Sequence, residues 1–402
     1  MKIILATPVY PPEQSSPAKY IKELALKLRD HHELTIVAYA STSERIDGTT
    51  LFTISKRRPL PLRLIKYFIT LYNAGEDADV IYVQNAMASG FPAVLVGRLR
   101  KIPVVLRFVG DEAWEQAVRS DRTKKKFEEF LEKPEGGLST RFRMMMQRYA
   151  LRRADIVTTQ SLYIRDLIVK KYGIKSERAV VNYDAAIFDP VSPFPATPAS
   201  HQIVTIAESN KEKSGEKGLN GIIRAVAILA KKYSDVRVVI VGAGSEDAGL
   251  KSLAVEMGVA DRINFTGNIS RAETLHIRKS SAVYVLNSTY EKVPHAVLTA
   301  FTANIPIVAT NIPTTSEVVE DNISGLLVPV ENGETNPVAL AEAIGKIFDD
   351  ASLRVKLVRG AEQILKEKFS WESHLKNLLG LFESLGSAHT SSTKSLSSKP
   401  RN

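Results

Sequence analysis

The chain has 402 residues, more than one hydrophobic core usually organises, and a composition typical of soluble globular proteins (44% apolar, 24% charged), so two domains are expected. The net charge is +10, and the absence of cysteine excludes disulfides, iron–sulfur clusters and cysteine-based zinc sites. The sequence shows neither a signal-peptide pattern nor a run of about 18 apolar residues, so we expect a cytoplasmic protein.

Short β-type runs alternate with helical patterns through the first half of the chain. KIILATPVY, ELTIVAYA, DADVIYVQN, IPVVLRFVGD and ADIVTTQS predict strands, and AKYIKELALKLRD predicts an amphipathic helix after the first of them. This alternation predicts a doubly wound parallel sheet, whose ligands bind beyond the carboxyl ends of the strands. The residue pairs that follow the strands are therefore candidate cleft residues: Ser15 and Ser16, Gln84 and Asn85, Gly110 and Asp111, Gln160 and Ser161.

A proline-rich segment, residues 188–202, predicts a linker to a second sheet. After it, HQIVTIAE, VRVVIVGAG, RINFTGN, SAVYVLNS, IPIVATN and GLLVPV predict strands, and GLNGIIRAVAILAKKY predicts a helix. The predicted domains are residues 1–188 and 189–368, with a cleft between them. Residues 369–385 have a helical pattern, and the Ser/Thr/Lys-rich residues 386–402 predict a disordered tail.

The positive charge is concentrated in the first half of the chain. Residues 1–200 contain 31 Lys and Arg against 22 Asp and Glu, whereas residues 201–402 contain 23 against 22. Basic residues mix with apolar ones at Ser55–Phe68, Arg122–Phe127 and Thr140–Arg153. Any one cluster could be a solvated helix face above a core stripe, a pattern visible in the spacing of Phe142, Met145, Met146 and Tyr149. The asymmetry of the whole half favours contact with an anionic membrane surface.

Two loops in the second half are candidates for binding a phosphate. In VGAGSED, Gly242 begins an incomplete dinucleotide fingerprint with Asp247 at the third glycine position, so a tight turn after a buried strand is the simpler interpretation. In EKSGEKGLNGII, Lys217 and Gly218 precede a helix. Backbone N–H groups at a helix start favour an anion, and a lysine beside them neutralises a phosphate. Taken alone, an ordinary surface loop is the simpler interpretation of this segment.

A single carboxylate, Glu291, follows the predicted strand SAVYVLNS. The helical pattern PHAVLTAFTA begins just after it, with Pro294 in the first turn. A carboxylate in this place can accept hydrogen bonds from sugar hydroxyls, and the N–H groups of the helix start can bind a diphosphate. Glu317 follows the next predicted strand, IPIVATN, and its loop.

Together these segments resemble the GT-B glycosyltransferases, in particular the large retaining family 4. The resemblance covers about residues 1–385 and is carried by YPPEQSSPAKY, GDEAWEQA, ADIVTTQS, EKGLNGII, VGAGSED, LNSTYEKVPHAVLTAFTANIPIVAT and SEVVEDNISGLLVP. It implies two Rossmann-like domains facing across a cleft, an acceptor on the N-terminal domain and a nucleotide-diphosphate sugar on the C-terminal domain. FSWE resembles the start of the family's last helix, which returns to the N-terminal domain.

By this resemblance, Lys217 neutralises the donor diphosphate and Glu291 holds hydroxyls of the donor sugar. Asp111 lies in the loop where many members carry an active-site histidine, so it is the third candidate catalytic residue. The other candidate donor-binding residues are Gly218, Gly242, Val293, Pro294, His295, Thr299 and Glu317. The candidate acceptor-side residues are Ser15, Ser16, Gln84, Asn85 and Gly110 beside Asp111.

The resemblance also implies transfer with retention of anomeric configuration and no assigned protein nucleophile. The leaving group departs through an oxocarbenium-like state, and the protein contributes positioning and stabilisation of the leaving diphosphate. No metal or other cofactor is expected, because Lys217 and helix N-termini can supply that stabilisation and no D-x-D pattern is suited to a metal.

Four features depart from the family pattern. Thr299 replaces the second of two glutamates that frame seven residues, the one that typically meets the nucleotide ribose, and its hydroxyl is shorter and neutral. The arginine that usually precedes the diphosphate lysine is absent, and two glycine pairs that permit close backbone approach are replaced. Glu208 or Glu212 stands at the arginine position. Ser15 with Ser16 replaces the first glycine pair, and Pro313 with Thr314 replaces the second.

Two functions remain open. The first is a retaining, hexosyltransferase-type enzyme of polysaccharide biosynthesis. It would move a sugar from a nucleotide-diphosphate donor to a lipid-linked or cell-surface saccharide acceptor, peripherally at the cytoplasmic membrane face. The alternative is a catalytically impaired GT-B binding or partner subunit, motivated by Thr299 and the absent arginine. Nucleic acid is not an expected partner, because the basic clusters lack a recognition-module pattern.

Overall fold

The structure of the protein is a computed structural model, and it describes residues 1–13, 15–41, 43–57, 59–125, 127–186, 201–206, 218–242, 248–289, 291 and 295–397, the last eleven by their backbone alone. It contains two compact units. Unit 1 comprises Met1–Asn182 with Lys376–Asn402, and unit 2 comprises Tyr183–Leu375. Most of the predicted linker, residues 188–200, lies outside the described residues.

Unit 1 is an α/β unit in which helices join every pair of consecutive strands except β2 and β3. Its strands are β1 (Lys2–Thr7), β2 (Glu33–Tyr39), β3 (Thr49–Ile54), β4 (Val80–Gln84), β5 (Val104–Arg107), β6 (Ile156–Thr159) and β7 (Ala179–Val181). Its helices are α1 (Ser16–Leu28), α2 (Leu60–Ala74), α3 (Gly90–Arg100), α4 (Glu112–Arg119), α5 (Phe127–Glu132), α6 (Gly137–Arg153) and α7 (Leu162–Tyr172), with a 3₁₀ turn at Ser176–Arg178.

The seven strands of unit 1 form one parallel sheet in the order β3-β2-β1-β4-β5-β6-β7. The central strands β4 and β5 are buried along their whole length, as continuous apolar runs in a sheet covered on both faces should be. The strand order reverses between β1 and β4, so the carboxyl ends of these two strands flank the topological switch point. The predicted parallel sheet is confirmed.

The outer helices of unit 1 correct one interpretation of the sequence. Phe142 and Met145 on α6 are 50% and 59% exposed, whereas Met146 is buried and Tyr149 is partly buried. The four residues therefore do not form one core stripe. The buried face of α6 instead includes the polar Thr140 and Gln147, so the apolar pattern of this helix points partly outward.

Unit 2 repeats this architecture. Its strands are β8 (Gln202–Ile206), β9 (Arg237–Val241), β10 (Ile263–Gly267), β11 (Val283–Leu286), β12 (Ile307–Asn311), β13 (Leu326–Glu331) and β14 (Glu334–Thr335). Its helices are α8 (Leu219–Leu229), α9 (Ala248–Glu256), α10 (Arg271–Lys279), α11 (His295–Thr302), α12 (Pro313–Ser316), α13 (Pro337–Asp349) and α14 (Ala351–Lys368), with a 3₁₀ turn at Ala260–Arg262.

The sheet of unit 2 has the order β10-β9-β8-β11-β12-β13-β14. Every pairing is parallel except the short antiparallel contact of β13 with β14. The order is the same as in unit 1, with the switch point between β8 and β11. Two Rossmann-like units thus follow one another in the chain, as the sequence predicts.

The last helix, α15, runs from Trp371 to Ser397. Its Phe382 ring packs edge-on against Tyr82 of β4, at 5.9 Å between ring centroids, which fixes this part of the helix in unit 1. The prediction of disorder from residue 386 differs from the structure, where the helical backbone continues to Ser397. Because packing already fixes part of α15, further residues extend the helix without the cost of nucleating a new one. No proline interrupts the chain before Pro400, so the helix can continue past residue 386. Residues 398–402 lie outside the described part.

Candidate functional site

The carboxyl ends of the strands form one edge of each sheet, called here the unit 1 edge and the unit 2 edge. The unit 1 edge comprises the residues that follow β1, β4, β5 and β6. The unit 2 edge comprises those that follow β8, β9, β11 and β12. In doubly wound sheets these edges carry the ligand sites, and the candidate residues that the structure describes fall at one or the other of them.

Asp111 occupies the centre of a buried hydrogen-bond network at the unit 1 edge. It caps α4, accepting a hydrogen bond from the Trp114 backbone N–H at 2.8 Å. Its other carboxyl oxygen accepts from Gln147 Nε2 at 2.7 Å and from the Tyr172 hydroxyl. Burial, and then the Asp111 carboxyl, raise the pKa of Tyr172 well above its ordinary value.

This geometry gives Asp111 a structural role, and its catalytic role stays a prediction. The side chain is only 1% exposed, and both carboxyl oxygens accept hydrogen bonds from protein donors. The preceding strand delivers Asp111 to the start of α4, where a carboxyl is a strong N-cap. Its role in the structure is therefore to position α4 and the loop that contains Gly110.

Glu112, which the sequence reasoning missed, lies beside this network. Its Oε1 is 3.3 Å from an Arg143 guanidinium nitrogen, and each side chain is only 17% exposed. Its Oε2 accepts from the Ala88 backbone N–H at 3.3 Å, and its own N–H donates to Gln147 Oε1 at 3.1 Å. Burial raises the pKa of Glu112, while Arg143 opposes the rise. Its place next to Asp111 after a buried strand was the available signal.

The polar pair after β4 shapes the loop that enters α3. Asn85 has a left-handed backbone (φ 74°), and its Oδ1 accepts from the N–H groups of Met87 and Ala88 at 2.9 and 3.0 Å. Gln84 is wholly buried, and Thr7 of β1 donates to its Oε1 at 3.5 Å. Within the described part of the chain, Gln84 Nε2 has no hydrogen-bond partner. Asn85 therefore builds the turn, and Gln84 lies at the switch point.

Two further predicted pairs also form helix starts. Ser15 precedes α1, where its hydroxyl donates to Glu13 Oε1 at 3.2 Å, and Ser16 is the exposed first residue of the helix. Ser161 caps α7, accepting from the Ile164 N–H, directly after Gln160. The pattern of a strand, a polar residue and a helix thus recurs along the unit 1 edge.

At the unit 2 edge, Gly218 lies at the start of α8 in close contact with the end of β11. Its backbone is left-handed (φ 60°), and a Cβ added there would lie 2.0 Å from the Asn287 carbonyl oxygen. Asn287 is buried and its Nδ2 donates to the Gly218 carbonyl at 2.8 Å. A Cβ on Gly221 would lie 2.6 Å from the same amide nitrogen. Asn287, a second residue missed from the sequence, thereby fixes Gly218 at the start of α8.

Glu291 and Thr299 follow β11. Glu291 is partly buried, and its backbone carbonyl accepts from the Thr314 hydroxyl at 2.9 Å. Thr299 lies within α11, and its hydroxyl donates to the His295 carbonyl one turn earlier, at 2.5 Å. His295 begins the helix and is exposed. The helix start predicted after Glu291 is therefore present, and the Thr299 hydroxyl proton bonds to its own helix.

The remaining described candidates lie on neighbouring strand ends. Gly242 follows β9 with φ 112°, and its N–H donates to Gly267 at 2.9 Å. Glu317 ends α12 and accepts from the Tyr183 hydroxyl at 3.4 Å. Pro313 and Thr314, which replace a glycine pair, form the start of α12. Other residues named from the sequence lie outside the described part: Lys217, Val293, Pro294, Glu208, Glu212 and Asp247.

These arrangements support anion binding at the unit 2 edge. The first N–H groups of an α-helix have no partner within the helix, and the helix dipole adds positive potential there. Helices α8 and α11 both begin at this edge, after strands that are neighbours in the sheet. Two helix starts with a carboxylate between them in sequence suit a ligand that combines phosphates with hydroxyl groups.

Two family models match the chain. The model described as "Glycosyl transferase 4-like domain" matches residues 16–184, and the model described as "Glycosyl transferases group 1" matches residues 210–364. The first match falls within unit 1 apart from its last two residues, and the second falls within unit 2.

Named relatives are similar in sequence to part of the chain, whereas solved structures superpose on nearly all of it. The chain is 27% identical over 173 residues to alpha-D-kanosaminyltransferase of Streptomyces kanamyceticus, covering 43% of this chain and 44% of that protein. It is 30% identical over 167 residues to the lipopolysaccharide core biosynthesis glycosyltransferase LpsD of Rhizobium meliloti, covering 42% and 46%. Each match thus spans less than half of the relative's length.

The structure of Anabaena Alr3699/HepE in complex with UDP superposes on 96% of this chain and 100% of its own, with a TM-score of 0.68 at 16% identity. That similarity shows the fold, and the two matched models assign a glycosyltransferase domain to each unit. The chain therefore has the two-domain GT-B fold, with similarity to glycosyltransferases in both units.

Proposed function

We propose that this protein transfers a sugar, with retention of configuration, from a nucleoside diphosphate donor to a lipid-linked or cell-surface saccharide acceptor at the cytoplasmic membrane face. The unit 2 edge binds the donor and the unit 1 edge binds the acceptor. Two relatives named for kanosaminyl transfer and for lipopolysaccharide core synthesis, and a neighbour solved with UDP, support this class of reaction.

The observation that carries the proposal is the junction of Gly218 with Asn287. It fixes the start of α8 against the end of β11, so that the N–H groups of the helix start bind the diphosphate. Lys217, the residue before Gly218 in the sequence, neutralises it in this proposal. Glu291, beyond the same strand, accepts hydrogen bonds from sugar hydroxyls. As the sugar–phosphate bond breaks, negative charge grows on the diphosphate, and the helix start with Lys217 stabilises it.

The proposed transfer needs no divalent metal, because Lys217 and the helix start supply the positive potential that a metal would otherwise provide. The rate measured with an excess of chelator should therefore equal the rate without it. A rate that falls with chelator and recovers with magnesium would contradict this part of the proposal.

The test is to incubate the purified full chain with a panel of nucleotide sugars, uridine diphosphate sugars first, and a membrane lipid extract. We expect a glycosylated lipid from at least one donor, detected by mass spectrometry. Glu291→Ala and Lys217→Ala should abolish it. Glu256→Ala on α9 and Lys251→Ala on the same helix are the matched controls, because both are exposed and lie outside the loops of Lys217 and Glu291.

A second candidate is a binding subunit that has lost transferase activity. The observation that favours it is Thr299, whose hydroxyl donates to its own helix at the position of the expected second glutamate. Calorimetry with nucleoside diphosphates separates the two functions. Binding that Lys217→Ala or Glu291→Ala abolishes supports the transferase, whereas no binding and no hydrolysis of any donor favours the subunit.

A further inference from the structure

Helix α2 presents a stripe of large apolar side chains to solvent. Leu62, Ile65, Ile69 and Tyr72 are 54%, 56%, 51% and 37% exposed. Their spacing of three, four and three residues places them on one side of a helix. The opposite side buries Tyr67 and Leu71 against the core of unit 1. The helix is thus anchored by one face and apolar on the other, which marks an interaction surface in a soluble protein.

The fold does not require this stripe, as its counterpart in unit 2 shows. Helix α10 occupies the equivalent place in the topology. It connects the edge strand β10 to β11, on the other side of the switch point, just as α2 connects the edge strand β3 to β4. Helix α10 buries Leu275 and Arg278 and exposes Arg271 and Glu273, with a capping box at its start. The same topological position thus accepts an ordinary polar outer face.

Neighbouring helices extend the apolar surface and surround it with positive charge. Helix α3 packs beside α2, and α6 packs beside α3. Leu99 at the end of α3 is 65% exposed, and the Arg100 guanidinium lies 4.0 Å from the centroid of the Tyr72 ring. On α6, Leu138, Phe142 and Met145 share one exposed side. Exposed cations on or beside these helices are Arg57, Lys66, Arg98, Lys101 and Arg141.

We infer that this surface, the outer faces of α2 and α6 with the end of α3, binds an anionic lipid bilayer. The side chains of Leu62, Ile65 and Ile69 would enter the headgroup boundary while the cations bind lipid phosphates. Among the described residues, no helix is both long and apolar enough to cross a membrane, so the contact is interfacial. A symmetric contact with a second copy would oppose these cations to one another, which favours the anionic partner.

This inference deepens the proposed function and rests on it. A lipid-linked acceptor lies in a bilayer, and that is why a bilayer is the expected partner. Its test uses no donor and no acceptor. Failure of lipid binding and failure of sugar transfer are therefore separate results.

The experiment is flotation of the full chain with vesicles of phosphatidylcholine, with and without phosphatidylglycerol. We expect binding that requires the anionic lipid and that falls as salt rises, because surface charges are screened. Ile65→Glu with Ile69→Glu should weaken binding about tenfold or more, since both apolar contacts are lost and two repelled charges are added. Lys66→Gln should weaken it about fivefold, the equivalent of one cation at the surface.

Matched controls separate this surface from general surface hydrophobicity. Val255→Glu and Val355→Glu alter side chains that are 69% and 52% exposed on helices of unit 2, and they should leave flotation unchanged. Circular dichroism melting checks that the double variant is folded. In addition, Ile65→Trp should give a tryptophan emission that shifts to the blue on vesicles and is quenched by brominated lipid.

Two outcomes would overturn the inference. One is a folded double variant that floats as the parent does, or a tryptophan at position 65 that brominated lipid does not quench. The other is light scattering that shows a dimer which the double variant dissociates, without a change in vesicle binding. That result would assign the surface to a second copy of the chain.

Discussion

The two sheets have the same strand order, yet their carboxyl edges are held by different chemistry. The described unit 1 edge depends on carboxyl groups, with Asp111 inside a network of three donors and Glu112 paired with Arg143. At the unit 2 edge, neutral groups make the described contacts just after β11, where the Asn287 amide donates to the Gly218 carbonyl and the Thr310 hydroxyl to the Ser288 carbonyl. A carboxylate contact, Glu317 with the Tyr183 hydroxyl, lies further along, at the end of α12.

This difference indicates how each edge relates to charge. A buried carboxyl needs hydrogen-bond donors, so the buried carboxyl groups of the unit 1 edge are bonded to polar groups of the same unit. Such a network makes this edge rigid. The contacts of Asn287 and Ser288 are neutral, so they do not offset the positive potential at the start of α8. The edge proposed to bind the diphosphate is thus one where the described contacts just after β11 add no negative charge.

The largest expected effect comes from breaking the unit 1 network at Asp111. Asp111→Ala leaves the Tyr172 hydroxyl and the Trp114 N–H without their acceptor and removes one of the two acceptors of Gln147 Nε2, which should cost about 3–5 kcal/mol of unfolding free energy. Urea unfolding followed by circular dichroism measures it. Asp166→Ala, at an exposed carboxylate of α7, should change stability by less than about 0.5 kcal/mol. A loss below about 1 kcal/mol at Asp111 would contradict the assigned positioning role.

Sequence reasoning predicted the sheets well and their edges in part. Continuous apolar runs identify buried strands, which is why β1, β4 and β5 were predicted. The edge strand β3 was missed because half-exposed TTLFTI has no such run. The resemblance identified the loops around Gly218 and Glu291 as candidate donor loops. Their residue-level roles stay predictions.

The burial of Asp111 could not be predicted, because its partners Gln147 and Tyr172 lie 36 and 61 residues further along the chain. A polar residue after a strand has the same local sequence signature whether it faces a ligand or caps a helix. The outward stripe of α2 has the same limitation. Its apolar spacing is visible in the sequence, but which side faces the core depends on packing against α3.

The second prediction tests whether the unit 2 edge depends on close backbone contact. Gly218→Ala strains a left-handed backbone, which costs about 1–3 kcal/mol, and places a Cβ against the Asn287 carbonyl. Gly258→Ala is the matched control, because Gly258 has φ +68° and no atom within 4 Å of the added Cβ. Gly218→Ala should lose more stability than the control and should weaken nucleoside diphosphate binding in calorimetry. Equal losses in both variants would mean that the Asn287 contact has no separate effect.

The third prediction restores a charge to the unit 2 edge. Thr299→Glu supplies the carboxylate that the ribose of a bound nucleotide would meet in the family pattern. A hydrogen bond to a charged group is worth about 1.5–3 kcal/mol, so nucleoside diphosphate affinity should rise about tenfold to a hundredfold. Thr302→Glu, on the same helix, should not raise it. No response at Thr299 would indicate a pocket that has been reshaped for another ligand or abandoned.

The smallest effect, in the pH dependence of stability, decides whether burial or the ion pair governs Glu112. Burial raises the pKa of Glu112 above its ordinary 4.5, against the pull of Arg143. The folded state then holds this proton more tightly than the unfolded state. The stability of the parent relative to Glu112→Gln should therefore fall as pH rises from 4.5 through the raised pKa. Urea unfolding at a series of pH values measures this difference.

Arg143→Met separates the two causes. Removing the guanidinium leaves burial unopposed, so the pKa of Glu112 should rise further and the fall in stability should extend to higher pH. If the stability of the parent relative to Glu112→Gln instead increased with pH, the folded pKa would be lowered and the ion pair would dominate. The unit 1 edge would then carry a stable carboxylate, and its contrast with the neutral contacts of the unit 2 edge would be sharper.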